Sequence, residues 1–349
     1  MLSRNIDKYC IDKKGSVREA LQKLDSLAGN AVLFLVEDGR LFGSISDGDI
    51  RRGLINGLDL QEKLEKFATK STKYLTKGKF DIVNMQSWRS KGYKIVPVKD
   101  EEGRIVDVVD FRKQRSYLPL HAVIMAGGQG VRLRPLTLQT PKPLLKVGEK
   151  PIVEYNVDRL ASFGVEKLTI TVNYLGEQII NYFGDGAEFG IDIDYVEEKE
   201  PRGTIGAVTE ISNIECQFVL VMNSDLLTTI DFEEMMAEML NQDADMIVGT
   251  VPYDVKVPYG VVETEGNKII ALREKPTYTY YSNAGIYIFK KDAMDRIPRE
   301  GVYNATDLMR DLYTDNKRVV QFPILGYWLD VGKPADFERA QRDIEHISL

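Results

Sequence analysis

The sequence predicts an α/β chain, with a mostly parallel, helix-covered sheet over residues 120–349 and a smaller α+β domain over residues 1–115. Three observations predict it. From His121 onward, continuous apolar runs alternate with amphipathic stretches, the pattern of strands buried on both faces. The run His121–Met125 feeds a glycine turn, Gly127-Gly-Gln-Gly130, which Arg132, Arg134, Lys142 and Lys146 follow. Near the N-terminus, one order of strand, turn and strand occurs twice.

In the first domain, Ser16 opens a helix as its N-cap, with Glu19 three residues on as in a capping box. Val32–Val36 reads as a buried strand, Glu37-Asp-Gly-Arg40 as a hairpin turn and Leu41–Ser46 as the return strand. Asp47 is expected to cap a helix over Gly48–Leu54. Ile95–Val98, the turn Asp100–Arg104 and Ile105–Val109 repeat the order, which suggests two small units packed together.

In the second domain, a helix over Ile152–Phe163 closes at Gly164. Strand Lys167–Val172, helix Gly176–Phe183 and strand Ile193–Glu197 come next. A helix is expected from Ile205, a strand over Phe218–Met222 leading to Asn-Ser-Asp225, a helix over Asp231–Asn241 and a strand over Met246–Thr250. Phe322–Leu329 is expected as the last strand. Lys333–Glu345 is expected as a tail helix with Asp336, Glu338, Arg339 and Arg342 on its solvated face. Ligands of such sheets gather at the carboxyl ends of the strands, where the glycine turn and Asp225 fall.

Composition narrows the class. Of 349 residues, 43% are hydrophobic and 28% charged, an ordinary globular balance. No run approaches a membrane span, and the first residues lack the apolar core of a secretion signal, so a cytoplasmic location is expected. Cys10 and Cys216 are too few and too distant for a disulfide framework or a metal knuckle. The net charge of -7 argues against a nucleic-acid partner, whose phosphates demand clustered positive charge. Arg51-Arg52 reads as a solvated helix face.

Three glycines in four residues let backbone N–H groups approach a ligand closely, and the cations beside them suit a polyphosphate. The segment lacks the Gly-Lys-Ser or Gly-Lys-Thr of a Walker loop, and Leu133 stands where a dinucleotide fingerprint has its third glycine. Pro141 and Pro143 fix the backbone around Lys142.

Residues 126–147 resemble the signature of the sugar-1-phosphate nucleotidyltransferases, Ala-Gly-Gly-x-Gly-Thr-Arg-Leu with a Pro-Leu-Thr and a Pro-Lys-Pro. Four further elements stand in family order: Arg202-Gly-Thr-Ile-Gly-Ala207, Asn223-Ser-Asp225, Glu274-Lys-Pro276 with Asn283-Ala-Gly285, and Asp330-Val-Gly332. The resemblance implies a Rossmann-like, GT-A-like sheet. It also implies transfer of a nucleotidyl group from a nucleoside triphosphate to a hexose or amino-hexose 1-phosphate, giving an NDP-sugar and pyrophosphate. The attacking phosphate is already an anion near pH 7, so charge neutralisation and in-line positioning matter more than a general base. His121 and His346 are accordingly expected to be structural.

By the same resemblance, Ala126, Gly127, Gly128 and Gly130 would cradle the triphosphate. Arg132 and Lys142 would meet its β- and γ-phosphates, and Asp225 and Asp330 resemble the family's Mg2+ pair. Lys275 would contact the sugar phosphate. Glu274 and Asn283 would bond sugar hydroxyls or an amino group, and Gly260 would admit the sugar edge, with Tyr259 and Tyr287 as candidate lining. Gly203 would approach the base, and Glu198 lies where family members hold the base edge. A carboxylate accepts from both of guanine's adjacent donors, which favours GTP, although Glu197 and Glu200 could supply the same group. Three departures stand out: Val131 for a threonine, Arg202 for a leucine and Ile205 for an alanine. The last two leave the base preference open.

The first domain resembles a pair of CBS modules, best over Gly43–Arg52. An adenine nucleotide there would use Ser46 and Asp49. The second copy has Asp107, Asp110 and Lys113 at the aligned positions, so at most one such site is expected, and a packing or dimerisation module is the other expectation. The two domains together resemble enzymes, guanylyltransferases among them, that activate amino sugars for surface glycans, including nonulosonates of the legionaminic acid type. No hexapeptide-repeat domain is expected after Gly332, and the oligomeric state, a homodimer or higher, stays open. Two other readings remain: a nucleotide sensor that has lost catalysis, and a nucleotidyltransferase using CTP, UTP or dTTP, including a cytidylyltransferase acting on a nonphosphorylated acidic sugar.

Overall fold

A computed structural model describes residues 6–27, 32–347 and 349. Residues 1–5, on which the expected lack of a leader partly rests, lie outside them. Among the described residues, no helix is long and apolar enough to cross a membrane. The chain divides into two compact units, Met1–Pro119 with Ala161–Glu166, and Leu120–Leu160 with Lys167–Leu349.

The first unit repeats one small motif. Strand β1 (Cys10–Asp12), helix α1 (Val17–Ser26), β2 (Val32–Glu37) and β3 (Arg40–Ser46) are followed by α2 (Asp47–Ile55). Then β4 (Leu75–Thr76), α3 (Ile82–Ser90), β5 (Ile95–Lys99) and β6 (Ile105–Asp110) run in the same order, without a closing helix. In each copy the first strand pairs parallel to the second and the second antiparallel to the third. Ser16 caps α1 as expected, its Oγ accepting the Glu19 N–H at 3.2 Å. Apolar side chains of α1 and of β2 and β3, including Val17, Ala20, Leu33, Leu35 and Ile45, form the core of the first copy. The two hairpin turns pair with each other, Leu41 N–H donating to Gly103 O (2.9 Å) and Ile105 N–H to Gly39 O (3.2 Å). One expectation is corrected here. Ser46, not Asp47, is the N-cap of α2, because the side chain of Asp49 reaches back to complete a capping box.

The second unit is built on a seven-stranded sheet. Its elements are β7 (His121–Met125), the short pair β8 (Lys146–Val147) and β9 (Lys150–Pro151), α4 (Ile152–Ser162), β10 (Lys167–Val172), α5 (Gly176–Phe183), β11 (Asp192–Glu197), β12 (Phe218–Asn223), β13 (Leu226–Thr228), α6 (Phe232–Asn241), β14 (Met246–Lys256), β15 (Val261–Glu265), β16 (Lys268–Arg273), β17 (Thr277–Lys290), α7 (Ala305–Thr314), β18 (Val319–Pro323), β19 (Trp328–Asp330) and α8 (Pro334–Asp343). The strand order is β11-β10-β7-β12-β17-β14-β18. The first four strands are parallel, as the apolar runs predict. The sheet is mostly parallel, as expected, yet mixed: β17 lies antiparallel between β12 and β14, and β18 runs parallel to β14. Val123, Val219, Val221, Val248 and Phe289 of these strands pack with Leu308 and Leu312 of α7 in the core.

Two further expectations are corrected. The segment after Ile205 forms only a 3-10 turn, Gly206–Glu210. The single last strand over Phe322–Leu329 is two strands. β18 joins the main sheet beside β14, and Ile324 N–H still donates to Thr250 O (2.7 Å). The chain then crosses at Gly326, where a Cβ would lie 2.3 Å from Thr229 Oγ1, and β19 pairs with β13 instead. Beyond Thr250, β14 and β17 continue as a two-stranded ribbon that carries the β15–β16 hairpin at its end.

Candidate active site

The site begins where β7 ends. Ala126 N–H still donates to Thr171 O (2.9 Å) of β10, and the chain then leaves the sheet as the glycine turn. Gly130 closes the turn with φ +60°, a conformation that favours glycine. A Cβ there would lie 2.9 Å from the Lys142 Cβ, so the turn and Lys142 are in direct contact. Thr137 Oγ1 donates to Gly130 O (2.9 Å) and fixes the far side of the loop.

Lys142, only 8% exposed, directs its ammonium at the Asp225 carboxylate and lies 4.0 Å from Asp330 Oδ1. The two aspartates meet because β13 and β19 pair antiparallel in the register Leu226↔Asp330, with Val331 N–H donating to Asp225 O (2.9 Å). Leu133, Val147, Ile152, Leu227, Leu329 and Val331 form the apolar base beneath them. Burial, and then the Asp225 carboxylate beside it, push the Asp330 carboxyl above the usual carboxylate range, against the pull of Lys142 and Arg132. A Cβ on Gly332 would lie 3.3 Å from Arg132 Nη2 and 3.4 Å from Asp330 Oδ1. Arg132, Lys142, Asp225 and Asp330 therefore form one cluster beside the glycine turn.

Asp225 Oδ1 and Asp330 Oδ1 are both buried without a hydrogen-bond partner. Two neighbouring carboxylate oxygens with open lone pairs are hard donors that fit a magnesium ion, which takes few protein carboxylates and fills its octahedron with phosphate oxygens and water. Among the described residues no cluster of three or more His, Cys, Asp and Glu side chains could hold a metal, so this pair would be the protein's whole share.

A second group lies on the other flank of the glycine turn. Glu198, 8% exposed, approaches Gly127 so closely that a Cβ there would sit 2.8 Å from Glu198 Oε1. Its Oε2 accepts the Arg202 N–H at 3.3 Å, and its backbone N–H donates to Val172 O (2.8 Å). Gly203 has φ +78°, and a Cβ there would lie 2.6 Å from Tyr303 O. Ala126 is buried and Gly128 exposed at the tip of the turn.

The residues expected at the sugar lie on or beside the ribbon. A Cβ on Gly260 would be 3.2 Å from Glu274 Oε2, so these two are neighbours. Asn283 Oδ1 accepts from the Gly285 N–H and the Tyr287 hydroxyl, both at 2.9 Å. Gly285 packs against Asn223, and Trp328 Nε1–H donates to Ala284 O (3.0 Å), which ties the Asn283–Gly285 stretch of β17 to the strands that carry the acidic pair. Lys275 is exposed with φ +43°, and no hydrogen bond or ion pair joins it to the cluster. Sequence reasoning assigned no role to Asn223 or Trp328. Asn223 could have been found through its place in Asn-Ser-Asp225, whereas Trp328 carries no local signal.

His121 is buried in β7 with Nε2 2.8 Å from Thr169 Oγ1, away from the cluster, while His346 is exposed after α8. In the first unit, Ser46 and Asp49 are engaged with each other. Ser46 Oγ donates to Asp49 Oδ2 (2.6 Å), and Asp49 Oδ1 accepts from Arg52 (2.6 Å) and Thr69 (3.2 Å). Although burial works the other way, the bonds from Ser46 and Arg52 hold the Asp49 carboxyl below its ordinary range.

Comparison with known proteins adds to this geometry. The chain is 31% identical over 229 residues to the mannose-1-phosphate guanylyltransferase of Mycobacterium tuberculosis, a match covering 64% of each chain. It is also 31% identical over 247 residues to the UTP–glucose-1-phosphate uridylyltransferase of Synechocystis, covering 64% of this chain and 63% of that one. The match thus spans less than two thirds of these relatives' length. The crystal structure of HddC from Yersinia pseudotuberculosis superposes with a TM-score of 0.51 at 25% identity, covering 64% of this chain and 99% of that one. Residues 121–347, nearly the whole second unit and both aspartates with it, match the nucleotidyl transferase family model, and the chain belongs to that family.

Proposed function

We propose that the protein transfers a nucleotidyl group from a nucleoside triphosphate to a hexose or amino-hexose 1-phosphate, with release of pyrophosphate, and that the nucleotide is GTP. One observation carries the transfer reading: Lys142 sits between two aspartates that each keep an orphaned buried oxygen, against the glycine turn. That arrangement suits a polyphosphate and its counter-ion better than a structural ion pair, which would satisfy its own oxygens.

In this reading the N–H groups of Gly127–Gly130 receive the triphosphate. Arg132 and Lys142 neutralise the charge that grows on the departing pyrophosphate. Magnesium held by Asp225 and Asp330 would supply Lewis-acid polarisation of phosphate oxygens. Lys275 meets the sugar phosphate, and Gly260, Glu274 and Asn283 bind the sugar. The nucleophile needs no base, in keeping with a buried His121 that lies away from the cluster. The base preference rests on Glu198, whose carboxylate can accept both adjacent donors of guanine; relatives named for guanylyl and for uridylyl transfer match equally well.

The repeated β-α-β-β order of the first unit supports a CBS-pair reading, with oligomerisation as its role. An adenine nucleotide at Ser46 and Asp49 would have to displace the helix cap.

Pyrophosphate release tests the proposal, measured with GTP, CTP, UTP, dTTP and ATP against glucose-, mannose-, glucosamine- and N-acetylglucosamine-1-phosphate with magnesium. Release with GTP and one sugar phosphate is expected. Release with UTP but not GTP would keep the transferase and remove the guanine preference. Silence from folded protein across the panel would remove the transferase reading.

A further inference from the structure

Arg202 stands in the loop after β11, and its side chain points away from the carboxylate its own backbone holds. The residue is only 9% exposed. Nε donates to Gly301 O (3.1 Å), Nη2 to Pro298 O (3.0 Å) and, at the limit, to Thr209 Oγ1 (3.5 Å), and Nη1 pairs with Glu210 (2.8 Å). The backbone faces the other way: the Arg202 N–H reaches Glu198 Oε2, and the Arg202 carbonyl accepts the Tyr303 N–H at 3.0 Å. The next residues continue the seam. Thr204 N–H donates to Asn304 Oδ1 (3.2 Å), Ala305 N–H to Thr204 Oγ1 (2.9 Å) and Ile205 N–H to Tyr303 O (3.2 Å).

We propose that Arg202 is a positioning residue for nucleobase recognition, its guanidinium clamping the 198–205 loop to the 298–305 segment so that the Arg202 N–H holds the Glu198 carboxylate against Gly127. The residue type matters. A guanidinium is a rigid planar fork with five donors, and here it spans two carbonyls, a carboxylate and a hydroxyl at once. A leucine could fill the volume but would leave the carbonyls of Pro298 and Gly301 without this donor. A lysine carries the charge on one flexible ammonium and cannot span both carbonyls in the same geometry. With the clamp removed, the backbone from Arg202 to Gly203 is free to shift, and Glu198 loses its one N–H anchor while its side chain stays chemically intact. The clamp itself stands on contacts within the second unit. Only the role given to Glu198 rests on the proposed function.

The test is GTP and UTP titration by calorimetry, with steady-state kinetics, on the full chain as wild type, Arg202→Leu and Arg202→Lys. Displacement of a positioning group by about 1 Å can cost about 100-fold, so Arg202→Leu is expected to weaken GTP binding and raise its KM by about 10- to 100-fold. The preference for GTP over UTP should narrow with it, while KM for the sugar 1-phosphate stays within about twofold. Arg202→Lys should fall between, and it decides the matter if the leucine variant does not fold. Unchanged GTP affinity and base preference in a folded variant overturns the inference alone. So does an equal loss for both substrates, which is the mark of a merely structural residue. Wild-type protein that binds no nucleotide overturns the inference and the proposed function together.

Discussion

Acid should expose His121 as a structural residue. The ring is 5% exposed in β7, with Thr169 of β10 as its hydrogen-bond partner. Burial pushes its pKa down to about 4, with Lys167 acting in the same direction and Asp194 against it. The folded protein therefore holds the neutral imidazole, whereas the unfolded chain takes up a proton near the ordinary value of 6.5. The native state has its full advantage above 6.5 and loses it as the pH falls toward 4. The gap between those two values corresponds to about 3 kcal/mol in full, of which about 2 kcal/mol is lost by pH 5. The assay is urea unfolding at pH 7, 6, 5 and 4.5, with Trp328 as reporter in a Trp88→Phe background that leaves it the sole indole. His121→Gln in that background removes the titrating group. The stability of the His121 protein relative to the Gln variant should drop by about 2 kcal/mol between pH 7 and pH 5. Parallel stability curves would refute the linkage. Pyrophosphate release at pH 7.5 should keep its kcat within about twofold in the variant; loss of turnover from a folded variant would refute the structural assignment.

Asp225→Asn keeps the shape of the acidic pair but removes the anion that Lys142 faces and one of the two orphaned oxygens. It is expected to lower kcat by about 1,000-fold with an unchanged far-UV spectrum, and a loss below about tenfold would remove Asp225 from the catalytic centre. Ser46→Ala deletes the N-cap of α2 and should cost about 1 kcal/mol in urea unfolding of the first unit, followed through Trp88 in a Trp328→Phe background. No change in that unfolding would mean that the capping box does not hold the helix.

The parallel half of the sheet was legible because its strands are buried on both faces. Phe218–Met222 is an unbroken apolar run, and in Leu168–Val172 the two threonines between the apolar residues are buried as well. β17 went unread for the opposite reason. Its outer half, Thr277–Ser282, alternates hydroxyl and aromatic side chains on an exposed ribbon, with none of the continuous burial that marks a core strand. The split between β18 and β19 depends on Thr229 filling the space beside Gly326, a contact between distant segments that local pattern does not encode. At the site, Asp225 and Asp330 could be paired only as motif ends, because the pairing itself is a strand register. Ser46 and Asp49 stand three residues apart, the spacing of a capping box, and that local signal is the one the structure bears out. The anchors of Arg202 could not be read at all, since Pro298 and Gly301 are loop carbonyls that any residue would supply.

The pairing of β13 with β19 also sets an order of events during synthesis. The glycine turn, Lys142 and Asp225 have all left the ribosome while Trp328–Asp330 is still to be made. Most of the parallel sheet can therefore form on a nascent chain in which Lys142 has only one carboxylate beside it. Closing the long loop between the two strands carries an entropy cost that grows only slowly with its length, so late arrival is no obstacle to stability. It does make the two-aspartate centre one of the last features of the second unit to appear. A chain stalled before β19 would present the glycine turn, Lys142 and Asp225 without the second acidic group, and on the proposed function it could not complete the magnesium pair.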